Sequence, residues 1–304
     1  MVQAGALAEE ATIRKVMGQL NTTRDLAQFF NNLNALGQAQ LQGSVHTGLL
    51  LSLAFQHLSL HFPTFKSPDF AYWFQNGLQN VLQAVNETLV AQIPLTISCD
   101  AYQNILKGFN NVYELIPASN APSVYGFCKT FLTARAQLGS PCGHEIPSSE
   151  VWLDTYLGNF SIFADYKNLL NWNGKLQALS LLDKMTPIQL ASFAVQSGAI
   201  SLEKDMDLVL ARLQRMPAEA VDQFLSQLTM ELQLSVGAIR NAGIRRKMLK
   251  QLVGQIQGGF STLRPEDWTL LLSTKLLPLL PSLGTEDAHL LLSYISGCDS
   301  FQAL

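Results

Sequence analysis

The sequence predicts an all-α fold: a right-handed, α-solenoid-like superhelical array of short antiparallel helix pairs. Three observations lead there: apolar residues recur at helical spacing, helix punctuation recurs with them, and one 21-residue segment is repeated 198 positions later. In VDQFLSQLTMEL, Val221, Phe224, Leu225 and Leu228 fall at i, i+3, i+4 and i+7, one face of a helix. The same spacing marks TRDLAQFFNNLNAL, TGLLLSLAFQHLSL, CDAYQNILKGFNNVYEL and RRKMLKQLVGQI, with lengths of about 8 to 18 residues and connections rich in Pro, Gly and Ser. Thr186 and Pro187 read as N-cap and first residue of the helix in IQLASFAVQ, closed by Gly198. Units this rich in leucine hide their apolar faces by stacking on neighbours, which favours an array over a compact helical domain.

The repeat carries the organisation. FPTFKSPDFAYWFQNGLQNVL (62–82) aligns without gaps on FSTLRPEDWTLLLSTKLLPLL (260–280), placing Phe62 on Phe260, Lys66 on Arg264, Asp69 on Asp267 and Phe70 on Trp268. LAQFFNNL (26–33) matches VDQFLSQL (221–228) at an offset of 195, and CDAYQ (99–103) matches CDSFQ (298–302) at an offset of 199. Order and spacing are kept across all three. The polar stretch LGSPCGHEIPSSE (138–150) is the best seam, dividing a partial first unit, 1–147, from a second unit, 148–304, that breaks off inside its Cys-Asp-x-aromatic-Gln helix. This pattern is expected of a piece of a longer array.

Composition narrows the function. Of 304 residues 48% are apolar, enough for a sizeable core, and only 14% are charged, against roughly 25% in ordinary domains. A net charge of −3 from 20 basic and 23 acidic residues makes no field for a polyanion, so nucleic acid is excluded as partner. The basic cluster Arg240, Arg245, Arg246, Lys247 and Lys250 reads as a solvated helix face. No stretch reaches the ~18 uncharged apolar residues of a membrane span, and the first residues do not read as a signal peptide.

No chemistry-bearing motif is present: no GxSxG, Walker loop, GxGxxG after a strand or HExxH. The chain is expected to have no enzymatic activity, cofactor, metal or small-molecule substrate. His57 and His61 would share a helix face, but only Leu58, Ser59 and Leu60 stand between them and no third ligand appears. Cys142-Gly143-His144 places an imidazole near a thiol, but the residues are adjacent in a Gly/Pro loop and read as a disulfide or a plain turn rather than an activated thiol. Asp100 and Asp299 follow a Cys at a helix start, where a carboxylate interacts favourably with the dipole, and read as structural. Tyr72, Trp73, Phe74 and Trp268 read as core rather than a ligand cage. Asn21 (NTT), Asn86 (NET) and Asn159 (NFS) are N-glycosylation sequons and should be exposed.

The segment ISCDAYQNILKGFNNVYELIPASNAPSVYGFCKTFL (97–132) resembles the cysteine-containing helical hairpins of the mesothelin, stereocilin and otoancorin group. Ser98, Cys99, Asp100, Gln103, Pro117 and Cys128 carry the match. The resemblance implies a non-catalytic, extracellular or membrane-anchored protein of cell adhesion or matrix attachment, with a protein or glycoprotein partner. Membrane attachment would then come only from an anchor not present in these residues. Within the hairpin a Cys99–Cys128 disulfide is expected, the alternative being reduced, buried thiols. Those thiols would suit the other reading of the chain, a cytoplasmic α-solenoid scaffold.

Overall fold

The structure, a computed structural model, describes residues 9–35, 46–195, 200, 202–234, 239 and 241–295. Every regular element among them is helical. The chain forms two compact units, Met1–Ala164 with Asn171–Gly174, and Asp165–Leu170 with Lys175–Leu304. The seam expected at 138–150 therefore lies within the first unit.

That unit contains α1 (Glu10–Met17), α2 (Thr23–Asn34), α3 (Thr47–Leu58), α4 (Ser67–Tyr72), α5 (Glu87–Val90), α6 (Cys99–Asn111), α7 (Ala121–Gln137) and α8 (Ser149–Tyr156). A π turn, Trp73–Gly77, continues α4, and 3₁₀ turns lie at Phe62–Thr64, Leu82–Ala84, Tyr113–Leu115 and Gly158–Phe163. The helix α9 (Tyr166–Trp172) straddles the division. In the second unit follow a 3₁₀ turn at Ala178–Lys184, then α10 (Pro187–Val195), α11 (Glu203–Gln214), α12 (Ala218–Leu234) and α13 (Ala242–Ile256). A 3₁₀ turn at Gln257–Thr262, α14 (Pro265–Leu270), a π turn at Leu271–Lys275, a 3₁₀ turn at Leu280–Ser282 and α15 (Thr285–Tyr294) complete it.

One joint links these short helices again and again. Each 3₁₀ turn ends on an apolar residue with extended backbone, as at Phe65 (φ −66°, ψ 139°), Val85 (−57°, 143°), Leu263 (−71°, 131°) and Leu283 (−61°, 125°). Extended backbone stops the helix there, and the apolar side chain staples the entry to the next one. A cap comes next: Asn86 Oδ1 accepts from Leu89 N at 3.1 Å, and Thr186 and Gln189 cap α10 reciprocally at 2.9 and 3.2 Å. The expected start of α10 is thus found, while Gly198 lies outside the described residues.

The internal repeat is also a repeat of structure. The order 3₁₀ turn, short helix, π turn, 3₁₀ turn, helix holds for 62–90 and for 257–294. Asp69 and Asp267 accept from the Lys66 and Arg264 amides at 2.8 and 3.1 Å. Both π turns close through equivalent bonds, Leu78 N to Trp73 O and Leu276 N to Leu271 O, each 2.8 Å. A π turn widens the helix by one residue and leaves carbonyls at its end without the usual donor. In the first copy Asn34 Nδ2 donates to Asn76 O (2.8 Å) and Gly77 O (3.1 Å); in the second, Thr229 Oγ1 donates to Thr274 O (3.3 Å) and Lys275 O (3.1 Å). Asn34 and Thr229 correspond at the 195-residue offset already read between α2 and α12.

The first unit's core is aromatic: Phe55, Phe62, Phe70 and Phe74 pack ring to ring, and Phe74 meets Phe109 of α6 at 5.6 Å. Here α6 crosses close to the π turn, because a Cβ on Gly108 would lie 2.7 Å from the Phe74 carbonyl carbon. The substitution Gly108→Ala is expected to lower the unfolding free energy by about 1–3 kcal/mol through overpacking. Gly126, in α7 with open space at its Cβ position, supplies the contrast: Gly126→Ala should raise stability by up to ~1 kcal/mol through helix propensity. Urea midpoints of the two variants moving the same way would contradict the crossing.

Candidate functional site

The loop after α7 returns to the start of α6. Gly139 and Gly143 both take φ of 69°, which side chains rarely adopt, and a Cβ at Gly143 would strike the Tyr156 ring. This turn brings Cys142 to Cys99, and the two are bonded, with Cα atoms 5.7 Å apart. The expected pairing of Cys99 with Cys128 is corrected. Cys128 is a free, fully buried thiol. It belongs to the buried stripe Val124, Phe127, Cys128, Phe131 and Leu132 of α7, and it meets Tyr102, one helical turn beyond Cys99. Helix register, rather than spacing, decides the partner.

Three hydrogen bonds surround the disulfide. Tyr102 hydroxyl donates to the Tyr156 carbonyl at 2.7 Å, Gln103 Nε2 to the Tyr156 hydroxyl at 2.7 Å, and Trp152 Nε1 to the Cys142 carbonyl at 2.9 Å. The Tyr102 ring stacks on Phe131 at 4.3 Å. Burial pushes the Cys128 thiol up to about 12, opposed in part by its hydrogen bond to Tyr102. Burial, and then the neighbouring Cys128, likewise raise Tyr102 well above the usual phenol range. A thiol held protonated this way is no nucleophile.

The other sequence candidates take structural places. His57 is half-buried on α3, His61 is exposed and stacks on Phe65 at 6.4 Å, and the described residues hold no cluster suited to a metal ion. The sulfur of Cys142 is in the disulfide, and His144 lies at the surface 3.2 Å from Glu145. Asp100 is exposed in the first turn of α6; Cys298 and Asp299 lie outside the described residues. Trp73, Phe74 and Trp268 are core, and Tyr72, half-buried, donates to Asn31 Oδ1 at 3.0 Å. Within the basic cluster Lys247 pairs with Asp207 at 2.6 Å, Lys250 stands 3.8 Å from Glu286, and Arg245 donates to the Ser282 hydroxyl at 2.9 Å. Arg240 lies outside the described residues. Asn21, Asn86 and Asn159 are all exposed.

Two apolar grooves are open on the surface of the described residues. One, of about 550 Å³, runs between α5 and α7 and is lined by Val90, Ile93, Leu95, Pro122 and Phe127, with Glu87 at its edge. The other, about 270 Å³, lies between α12 and the α14–π segment. No family model, curated protein or solved structure matches the chain. Sequence reading allowed Cys142 a disulfide in a turn but did not pair it with Cys99, although its flanking Gly139, Pro141 and Gly143 signal the tight turn that brings it there. It also missed Asn34 and Thr229, which only their positions in the aligned repeat single out.

The thiol chemistry can be measured. In the folded chain Cys128 is expected to resist alkylation at pH 8 and to react at once in urea. Because its folded value lies above the ~8.5 of an unfolded thiol, its contribution is complete below that pH and is lost as pH rises toward 12, by up to ~1.4 kcal/mol per unit. Urea midpoints at pH 7.5 and 10 should therefore diverge less in Cys128→Ala than in the parent; an unchanged difference contradicts the assignment. Cys142→Ser opens a loop of 43 residues and should cost about 4 kcal/mol in the loop-closure estimate.

Proposed function

We propose that this chain is a non-catalytic helical repeat module working outside the cell, in adhesion or matrix attachment through a protein or glycoprotein partner. In this reading its units stack as a superhelical array. The observation that carries the proposal is the Cys99–Cys142 bond together with three sequon asparagines that all face solvent. Disulfides persist in oxidising compartments, and a glycan acceptor must be reachable. The quiet, weakly charged surface and the two apolar grooves suit a partner read by shape more than by charge.

Protein purified from its native source tests this directly. Treatment with a peptide N-glycosidase should shift its mass by one or more glycans, with deamidation at Asn21, Asn86 or Asn159, and non-reducing peptide mapping should recover the Cys99–Cys142 cross-link. Three unmodified asparagines with free thiols at Cys99 and Cys142 would overturn the extracellular reading and favour an intracellular scaffold.

A further inference from the structure

The two copies of the repeat fill one space differently. In the first copy, aromatic rings occupy the gap between α2 and the α4–π segment. Tyr72 reaches Asn31 of α2, its ring lies 5.2 Å from that of Trp73, and Trp73 is 4% exposed. Gly77 makes the room, since a Cβ there would stand 2.8 Å from the indole. In the second copy the equivalent positions are Leu270, Leu271 and Lys275, and Leu263 replaces Phe65. Without the rings the gap stays open as the 270 Å³ groove, walled by Leu225 of α12, and Leu270 at its edge is 50% exposed. Lys275 crosses to pair with Asp222 on α12.

We propose that this groove binds an aromatic side chain presented by a protein partner, in the place the first copy fills with Tyr72 and Trp73. The fold itself supplies the template for the occupant, because the same backbone in the first copy accepts an indole and a phenol between equivalent helices. Charge selects what flanks the ring. Asp222 and Asp267 line the groove paired with Lys275 and Arg264, and the excess comes from two exposed carboxylates outside its lining, Glu219 one turn before Asp222 and Glu266 beside Asp267. A ring flanked by lysine or arginine fits that excess of carboxylates. The inference deepens the partner-binding reading above and rests on it.

Methyl-labelled full-length chain, titrated with the capped tripeptide Lys-Trp-Lys and followed by NMR, provides the test. The methyl signals of Leu225, Leu263, Leu270 and Leu271 should shift saturably, Lys-Ala-Lys should leave them in place, and Glu-Trp-Glu should bind more weakly. The double variant Leu271→Trp with Lys275→Gly copies the first repeat into the second and should weaken Lys-Trp-Lys by at least about tenfold while keeping the parent's circular dichroism. If that variant fails to fold, Leu270→Tyr alone blocks the same mouth and should do likewise. Unmoved leucine methyls, or full-strength binding by a folded, plugged variant, would overturn the groove assignment. Either result leaves the glycan and disulfide tests untouched, so failure of the groove and failure of the extracellular reading are separable.

Discussion

A pair of carbonyls at the end of each π turn is satisfied from a distant helix, and much of the repeated module depends on that arrangement. Asn34 serves Asn76 and Gly77; Thr229 serves Thr274 and Lys275. A hydrogen bond contributes about 0.5–1.5 kcal/mol net, enough to bias the choice between a π turn and regular helix. The turn in turn sets where Phe74 and Leu272 point into the core, and both are fully buried. In the first copy it also provides the flat surface that Gly108 of α6 crosses. One donor on α2 or α12 thereby joins helices more than forty residues apart in sequence.

Much of this was legible in residue order, and the exceptions have physical causes. The helices followed from apolar periodicity: Val221, Phe224, Leu225 and Leu228 are all buried, as their spacing on one face requires. The repeat was legible because core positions tolerate only like for like, so Phe62 and Phe260, or Phe70 and Trp268, keep their character. The π turns were not legible, since Trp73–Gly77 and Leu271–Lys275 share no residue type. What they share is a backbone bond and a donor supplied from elsewhere. The disulfide misled for a related reason. Sequence spacing places Cys99 and Cys128 on facing helices, but only register shows that Cys128 faces Tyr102 and that the glycine turn at 139–143 delivers Cys142 instead.

The differences between copies bear on function more than the likenesses do. The first copy fills its interhelical gap with rings. The second replaces the rings with leucines and spans the gap with the Lys275–Asp222 pair, which keeps a groove open. The shared backbone is held by shared bonds, which leaves the side chains of one copy free to differ.

Backbone amide exchange in two single variants tests the dependence on the distant donor. Thr229→Val removes the donor while keeping shape, and Asn34→Leu does the same in the first copy. The account predicts that Thr229→Val speeds exchange at the Leu276 amide, lowers the unfolding free energy by about 0.5–1.5 kcal/mol and leaves the Leu78 amide as it was, with Asn34→Leu giving the reverse. Unaltered protection at Leu276 in Thr229→Val and at Leu78 in Asn34→Leu would contradict it.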